Sequence, residues 1–123
     1  MAKRKETKKS LTRKLDKICS QIIRQNPCAR CGEEQYDKLQ CAHIFSRRYR
    51  SVRWNLFNMV SLCASCHFWA HGNPVLFGEF VKTYLGEERY LLLKSTATPI
   101  SKLTLDQMSL MLRGYHESIS KES

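Results

Sequence analysis

Two Cys-x-x-Cys pairs constrain this chain more than anything else in it. Cys28-Ala29-Arg30-Cys31 and Cys63-Ala64-Ser65-Cys66 each aim two thiols at one point. Gly32 follows the first pair, where a tight turn needs backbone freedom. Two such knuckles in 123 residues read as one tetrahedral four-cysteine site. Four thiolates leave zinc no open position, so the expected ion is structural. The 31 residues between the knuckles, 32 to 62, exceed the spacing of about 15–20 found in simple ribbons. Something is inserted between the two halves of the site.

Composition explains why a metal staple is expected at all. A hydrophobic share of 42% in a chain this short builds only a small core. Lysine and arginine total 21 against 11 acids, a net charge of +10 that calls for an anionic partner, nucleic acid or a membrane surface. No apolar run approaches the roughly 18 residues of a membrane span, which removes the main support for a membrane. The opening MAKRKETKKS has no apolar stretch after it, so no secretory signal is expected. The six cysteines then read as thiols and metal ligands in a reducing, cytoplasmic setting.

Three segments are expected: residues 1–26 as basic tail and amphipathic helix, 27–86 as zinc-stapled core, and 87–123 as a helical extension. Lys3, Arg4, Lys5, Lys8 and Lys9 face the single acid Glu6 in the first ten residues. That run is either a solubilising tail or a phosphate-binding arm. Leu11, Leu15, Ile18, Ile22 and Ile23 recur at helical spacing from an N-cap at Ser10 to a stop before Pro27. Their stripe packs on the core or on a second copy in a homodimer. The insert reads as two strands, 39–45 and 58–62, around a loop that sets Arg47, Arg48, Arg50 and Arg53 among Tyr49 and Trp54. Arginine forks match phosphate oxygens, so this loop is the second expected nucleic-acid contact.

After the second knuckle, His67 and His71 stand four residues apart, on one face of a helix, where both can grip one ion. A helix over 75–84 shows Leu76, Phe80, Val81 and Tyr84 on one side, with Gly86 as its cap. A short helix over 87–94 and a linker over 95–99 follow. The last helix starts at Thr104, whose Thr-x-x-Gln pattern with Gln107 is a capping box. Leu105, Met108, Leu112 and Tyr115 give it an apolar face. The fold class is therefore α+β, and His116 reads as a surface residue.

His43, Asn58 and His67 stand in the order His–Asn–His, with Asn58 five residues before Cys63 of the Cys-x-x-Cys-His run. This pattern, over residues 28–71, resembles the HNH endonucleases of the ββα-metal fold. Arg53-Trp54-Asn55-Leu56-x-Asn58, the cysteine pair, Gly72-Asn73 and an aromatic-rich helix ending at Gly86 resemble the phage NinG (Rap) recombination family. The resemblance implies a ββα-metal core, cleavage of linear or branched DNA, and a phage-infected or bacterial host cytoplasm. Phosphodiester hydrolysis needs a deprotonated water, and a neutral imidazole titrating near neutrality suits His43 for general base. In the HNH pattern Asn58 braces the loop and His67 holds a divalent ion such as Mg²⁺, Mn²⁺ or Ni²⁺ on the scissile phosphate.

The chain departs from both patterns. HNH enzymes commonly carry an Asp or His ligand just before the general base, where this chain has Ala42. His71 is the natural substitute and Cys41 the weaker one. NinG proteins tend to have asparagine at the place of His67 and glycine at that of Ala42. Two other readings stay open: a non-catalytic zinc module that binds nucleic acid, and a nuclease acting on RNA.

Overall fold

The computed structural model describes residues 6–121. Lys3, Arg4 and Lys5 therefore lie outside the described residues. The elements are α1 (Lys8–Ile23), β1 (Leu39–His43), β2 (Met59–Cys63), α2 (Ala64–Gly72), α3 (Pro74–Leu85), α4 (Glu87–Thr96) and α5 (Leu105–Lys121). Short 3-10 turns occupy Tyr36–Lys38, Arg50–Val52 and Leu56–Asn58. The class is α+β, with one antiparallel pair in which Leu39 faces Cys63 and His43 faces Met59. No helix among the described residues is long and apolar enough to cross a membrane.

α1 begins earlier than expected. Thr7, not Ser10, is the N-cap: its backbone is extended and its hydroxyl accepts the Ser10 N–H at 3.1 Å. Ser10 is itself a good cap residue, but the helical pattern continues upstream of it. Lys8 and Lys9 consequently belong to the first turn of a helix rather than to a tail. The buried face carries Leu11, Leu15, Ile18, Cys19 and Ile23. It packs with Trp54, Met59 and, on α5, Met108, so the stripe is covered within the chain and is not free for a second copy. Cys19 is 1% exposed and belongs to this core.

α5 closes over the other side of that cluster. Both halves of its capping box form: the Thr104 N–H donates to Gln107 Oε1 at 2.9 Å, and the Gln107 N–H to Thr104 Oγ1 at 3.2 Å. The Tyr115 hydroxyl donates to the Trp54 carbonyl at 2.5 Å, tying α5 to the arginine loop. A second cluster lies beneath the knuckles and gathers Cys28, Leu39, Ala42, Val60, Leu62 and Cys66. The face expected of α3 is only partly used. Val81 is buried, but Leu76 and Tyr84 are each 51% exposed, because α2 and α4 cover one edge of α3. Gly86, at φ +89, breaks the chain between α3 and α4 in a conformation that favours glycine.

Candidate functional site

The two knuckles meet. The Sγ atoms of Cys28, Cys31, Cys63 and Cys66 all lie within 4.8 Å of one another, and Cys31 and Cys63 approach to 3.6 Å. Zinc–sulfur bonds of about 2.3 Å put tetrahedral sulfurs roughly 3.8 Å apart, so the set fits one ion. It is the one such group of three or more His, Cys, Asp or Glu among the described residues. Gly32 at φ +85 turns the chain after the first knuckle, and the Gly32 N–H donates to the Cys28 carbonyl at 2.9 Å. The second knuckle uses the end of β2 and the first turn of α2. There the Cys66 backbone N–H, and then the Ser65 hydroxyl, hold the Cys63 thiol down at about 6. Arg30 donates to Cys66 Sγ at 3.6 Å and lies 3.9 Å over the Trp69 ring, setting a positive charge beside a site whose thiolates are negative.

His43 closes β1. Its Nε2 lies 3.1 Å from the Arg53 carbonyl, and a carbonyl can only accept, so Nε2 carries the proton and Nδ1 keeps its lone pair. Burial lowers the His43 pKa, against the upward pull of that hydrogen bond, and keeps the ring neutral near pH 7. Asn58 is fully buried at the foot of β2. It accepts the Phe45 N–H at 2.7 Å and donates to the carbonyls of Phe45 and Val52 at 2.9 and 3.1 Å. Those three bonds cross the mouth of the arginine loop.

His67 and His71 come together on one face of α2, with their Nε2 atoms 3.2 Å apart. Two nitrogens bound to one ion at about 2.0–2.1 Å stand roughly 2.9–3.4 Å apart, so the pair fits a shared cation. The Gln40 side-chain oxygen, on β1, lies 2.7 Å from His67 Nδ1. The His67 Nδ1–H donates to Gln40 Oε1, which fixes the tautomer and leaves Nε2 free to coordinate, as outer partners of ligating histidines do. A cavity of about 590 Å³ is lined by Asp16, Arg24, Cys41, His43, His67 and His71. A neighbouring one of about 350 Å³ shares the three histidines and adds Ala42. Cys41 packs toward α1 while also lining the larger cavity, and burial raises its thiol to about 11.

The arginines divide. Arg47, Arg48 and Arg50 are exposed, as are Lys8 and Lys9. Arg53 is not a free phosphate fork, contrary to expectation. It makes a two-pronged pair with Asp16, at 3.0 and 2.7 Å, and its side chain is 16% exposed. Asp16 also accepts Trp54 Nε1–H at 2.8 Å. One carboxylate on α1 therefore fixes the peptide whose carbonyl orients His43. Sequence reading missed Asp16 and Gln40. The only signal for Asp16 was a lone acid on a basic helix, and nothing local announced a partner 37 residues away.

Removing the metal should unfold the knuckles and the strand pair they anchor, because binding and folding are coupled. Elemental analysis should find one zinc per chain, and Cys63→Ser should lose it; zinc retained by that variant would overturn the assignment. For Asp16, burial raises the pKa but the bonds from Arg53 and Trp54 outweigh it, leaving it below the ordinary 3.8. A depressed carboxylate stabilises the fold above its unfolded pKa and loses that contribution as pH falls through the folded value. Asp16→Asn should cost about 2 kcal/mol near neutrality. Urea midpoints of the two proteins should converge below pH 3.8, and a gap independent of pH would count against the charge pair.

A family model described as bacteriophage lambda NinG protein matches residues 1–122. No curated protein and no solved structure matches the chain. With the match spanning nearly the whole sequence, and the four cysteines gathered into one metal-holding cluster, the chain belongs to the NinG family of phage recombination proteins.

Proposed function

We propose that the protein is a metal-dependent DNA endonuclease of the HNH type, acting on branched or recombination DNA. One observation carries the reading. A half-buried imidazole with its Nε2 proton fixed by a backbone carbonyl lines the same cavity as a histidine pair spaced for one cation. A pure binding module has no need of that juxtaposition. The antiparallel β1–β2 pair followed directly by α2 is the order of a ββα-metal core, with the four cysteines as its staple.

In this mechanism His43 Nδ1 takes a proton from water, and the Arg53 carbonyl holds the proton on Nε2 so that Nδ1 keeps its lone pair. His67 and His71 offer two nitrogens to a divalent ion, which when bound stabilises charge on the scissile phosphate and the leaving 3′ oxygen. Gln40 fixes His67, and Asn58 keeps the arginine loop closed. Arg47, Arg48 and Arg50, with Lys8 and Lys9, neutralise phosphates without reading bases. Lys3, Arg4 and Lys5 extend that basic set in sequence. One observation favours the alternative of a non-catalytic zinc module. Ala42 is buried and adds no ligand beside His43.

Incubation with linear, nicked and four-way DNA, and with RNA, in Mg²⁺, Mn²⁺ or Ni²⁺ separates these readings. His43→Ala should abolish cleavage and leave DNA affinity within a few-fold, since a general base acts in the transition state. At saturating metal, the acidic limb of the wild-type rate should lie below 6.5. The neutral base is the active form, and a lowered pKa carries it to more acidic pH than a free imidazole. A limb above that value, or cleavage that survives His43→Ala, removes His43 as the base.

Imidazole ligands suit Mn²⁺, Ni²⁺ or Co²⁺ better than Mg²⁺, which prefers hard oxygens. His71→Ala should raise the metal concentration needed for cleavage, and Ala42→Asp should shift preference toward Mg²⁺. A wild type that works best in Mg²⁺ and ignores His71→Ala would take His71 out of the site.

A further inference from the structure

We infer that the solvent face of α1 is a track for the phosphate backbone of a nucleic-acid duplex, leading into the histidine cavity. The inference rests on the nuclease reading for what lies at the end of the track, but not for the track itself. At 100° per residue, positions 9, 13, 16, 17, 20 and 24 fall within one arc of about 100°. That arc lies opposite Leu11, Leu15 and Ile18, with Cys19 and Ile23 widening the buried stripe toward its Asp16 edge; Lys9, Arg13 and Lys17 are exposed on it, and Asp16, Ser20 and Arg24 half-buried. It carries Lys9, Arg13, Lys17 and Arg24, and its one acid is Asp16, already held by Arg53.

An ordinary solvated helix face would mix signs. Here Lys9, Arg13 and Lys17 follow one another at i, i+4, a like-charge spacing that disfavours the helix by a few tenths of a kcal/mol per pair. No ion pair among the described residues relieves them, whereas Lys14, off the arc, is paired with Glu6. The unrelieved repulsion is what a polyanion would remove. The stripe from Lys9 to Arg24 is about 22 Å long, over which one strand of a duplex rises through roughly six phosphates. Its far end enters the cavity: Asp16, Ser20 and Arg24 line it together with His43 and His67. Arg24 is pre-set there, its Nε donating to the Ser20 carbonyl at 3.2 Å and its guanidinium 4.5 Å over the Tyr36 ring. A membrane surface has the same charge, but the helix has no apolar face left to insert and the stripe ends at a cleft.

The test measures duplex affinity against salt, in a His43→Ala background so that nothing is cut. Arg13→Gln/Lys17→Gln removes two exposed charges that make no ion pair among the described residues, and Lys94→Gln/Arg113→Gln removes two exposed charges from α4 and α5 as the control. Two lost phosphate contacts should lower the slope of log affinity against log salt by about 2, and the control by less than about 1. Equal losses in both pairs, no loss in the first, or no duplex binding at all would overturn the track. So would binding to phosphatidylserine vesicles, but not to duplexes, that depends on Arg13 and Lys17. Parallel series on DNA and RNA duplexes identify which backbone is taken. A wild type that binds with this dependence and cleaves nothing keeps the track and loses the nuclease; one that cleaves while the first pair leaves the slope unchanged does the opposite.

Discussion

Four thiols meeting at one point are the constraint on which the rest depends. Cys28 and Cys31 come from a turn with no regular structure, Cys63 from the last residue of β2, and Cys66 from the first turn of α2. One ion held by them would join these three segments, and with them fix where α2 leaves the sheet. The direction of α2 in turn decides that His67 meets Gln40 of β1 and shares a cavity with His43. The apolar cluster beneath the knuckles consists largely of small and medium side chains, so burial alone gives modest stability there.

A second layer of order is polar. Asn58 and Asp16 are each a single side chain with three hydrogen bonds, and both act on the same loop. Asn58 closes its mouth from below, while Asp16 holds Arg53 and Trp54 from α1. Together they place one backbone carbonyl against His43 to within hydrogen-bond distance. Buried polar groups cost free energy unless every bond is made, so a satisfied pair of this kind fixes one loop geometry against its neighbours.

This division also explains the arginines. Arg30 lies against the cysteine cluster and Trp69, and Arg53 against Asp16, while Arg47, Arg48 and Arg50 remain exposed. A net charge of +10 is thus spent unevenly: some cations hold the fold, and the rest give the surface its attraction for anions.

Cysteine spacing, the period of the apolar residues and the capping motifs were legible from the sequence, since each depends on residues a few positions apart. They gave the cysteine knuckles, α1, the α5 capping box, the Gly86 break and the pairing of His67 with His71 on one helical face. The start of α1 slipped by three residues, because Thr7 and Ser10 are comparable caps and only the extended backbone at Thr7 separates them. Tertiary structure alone decided what spans the chain. Asp16 meets Arg53 across 37 positions, Gln40 meets His67 across 27, and the exposed side of α3 is set by how little α2 and α4 cover. Such contacts leave no period and no motif, because a side chain's partner over that distance is fixed by packing and not by the residues beside it.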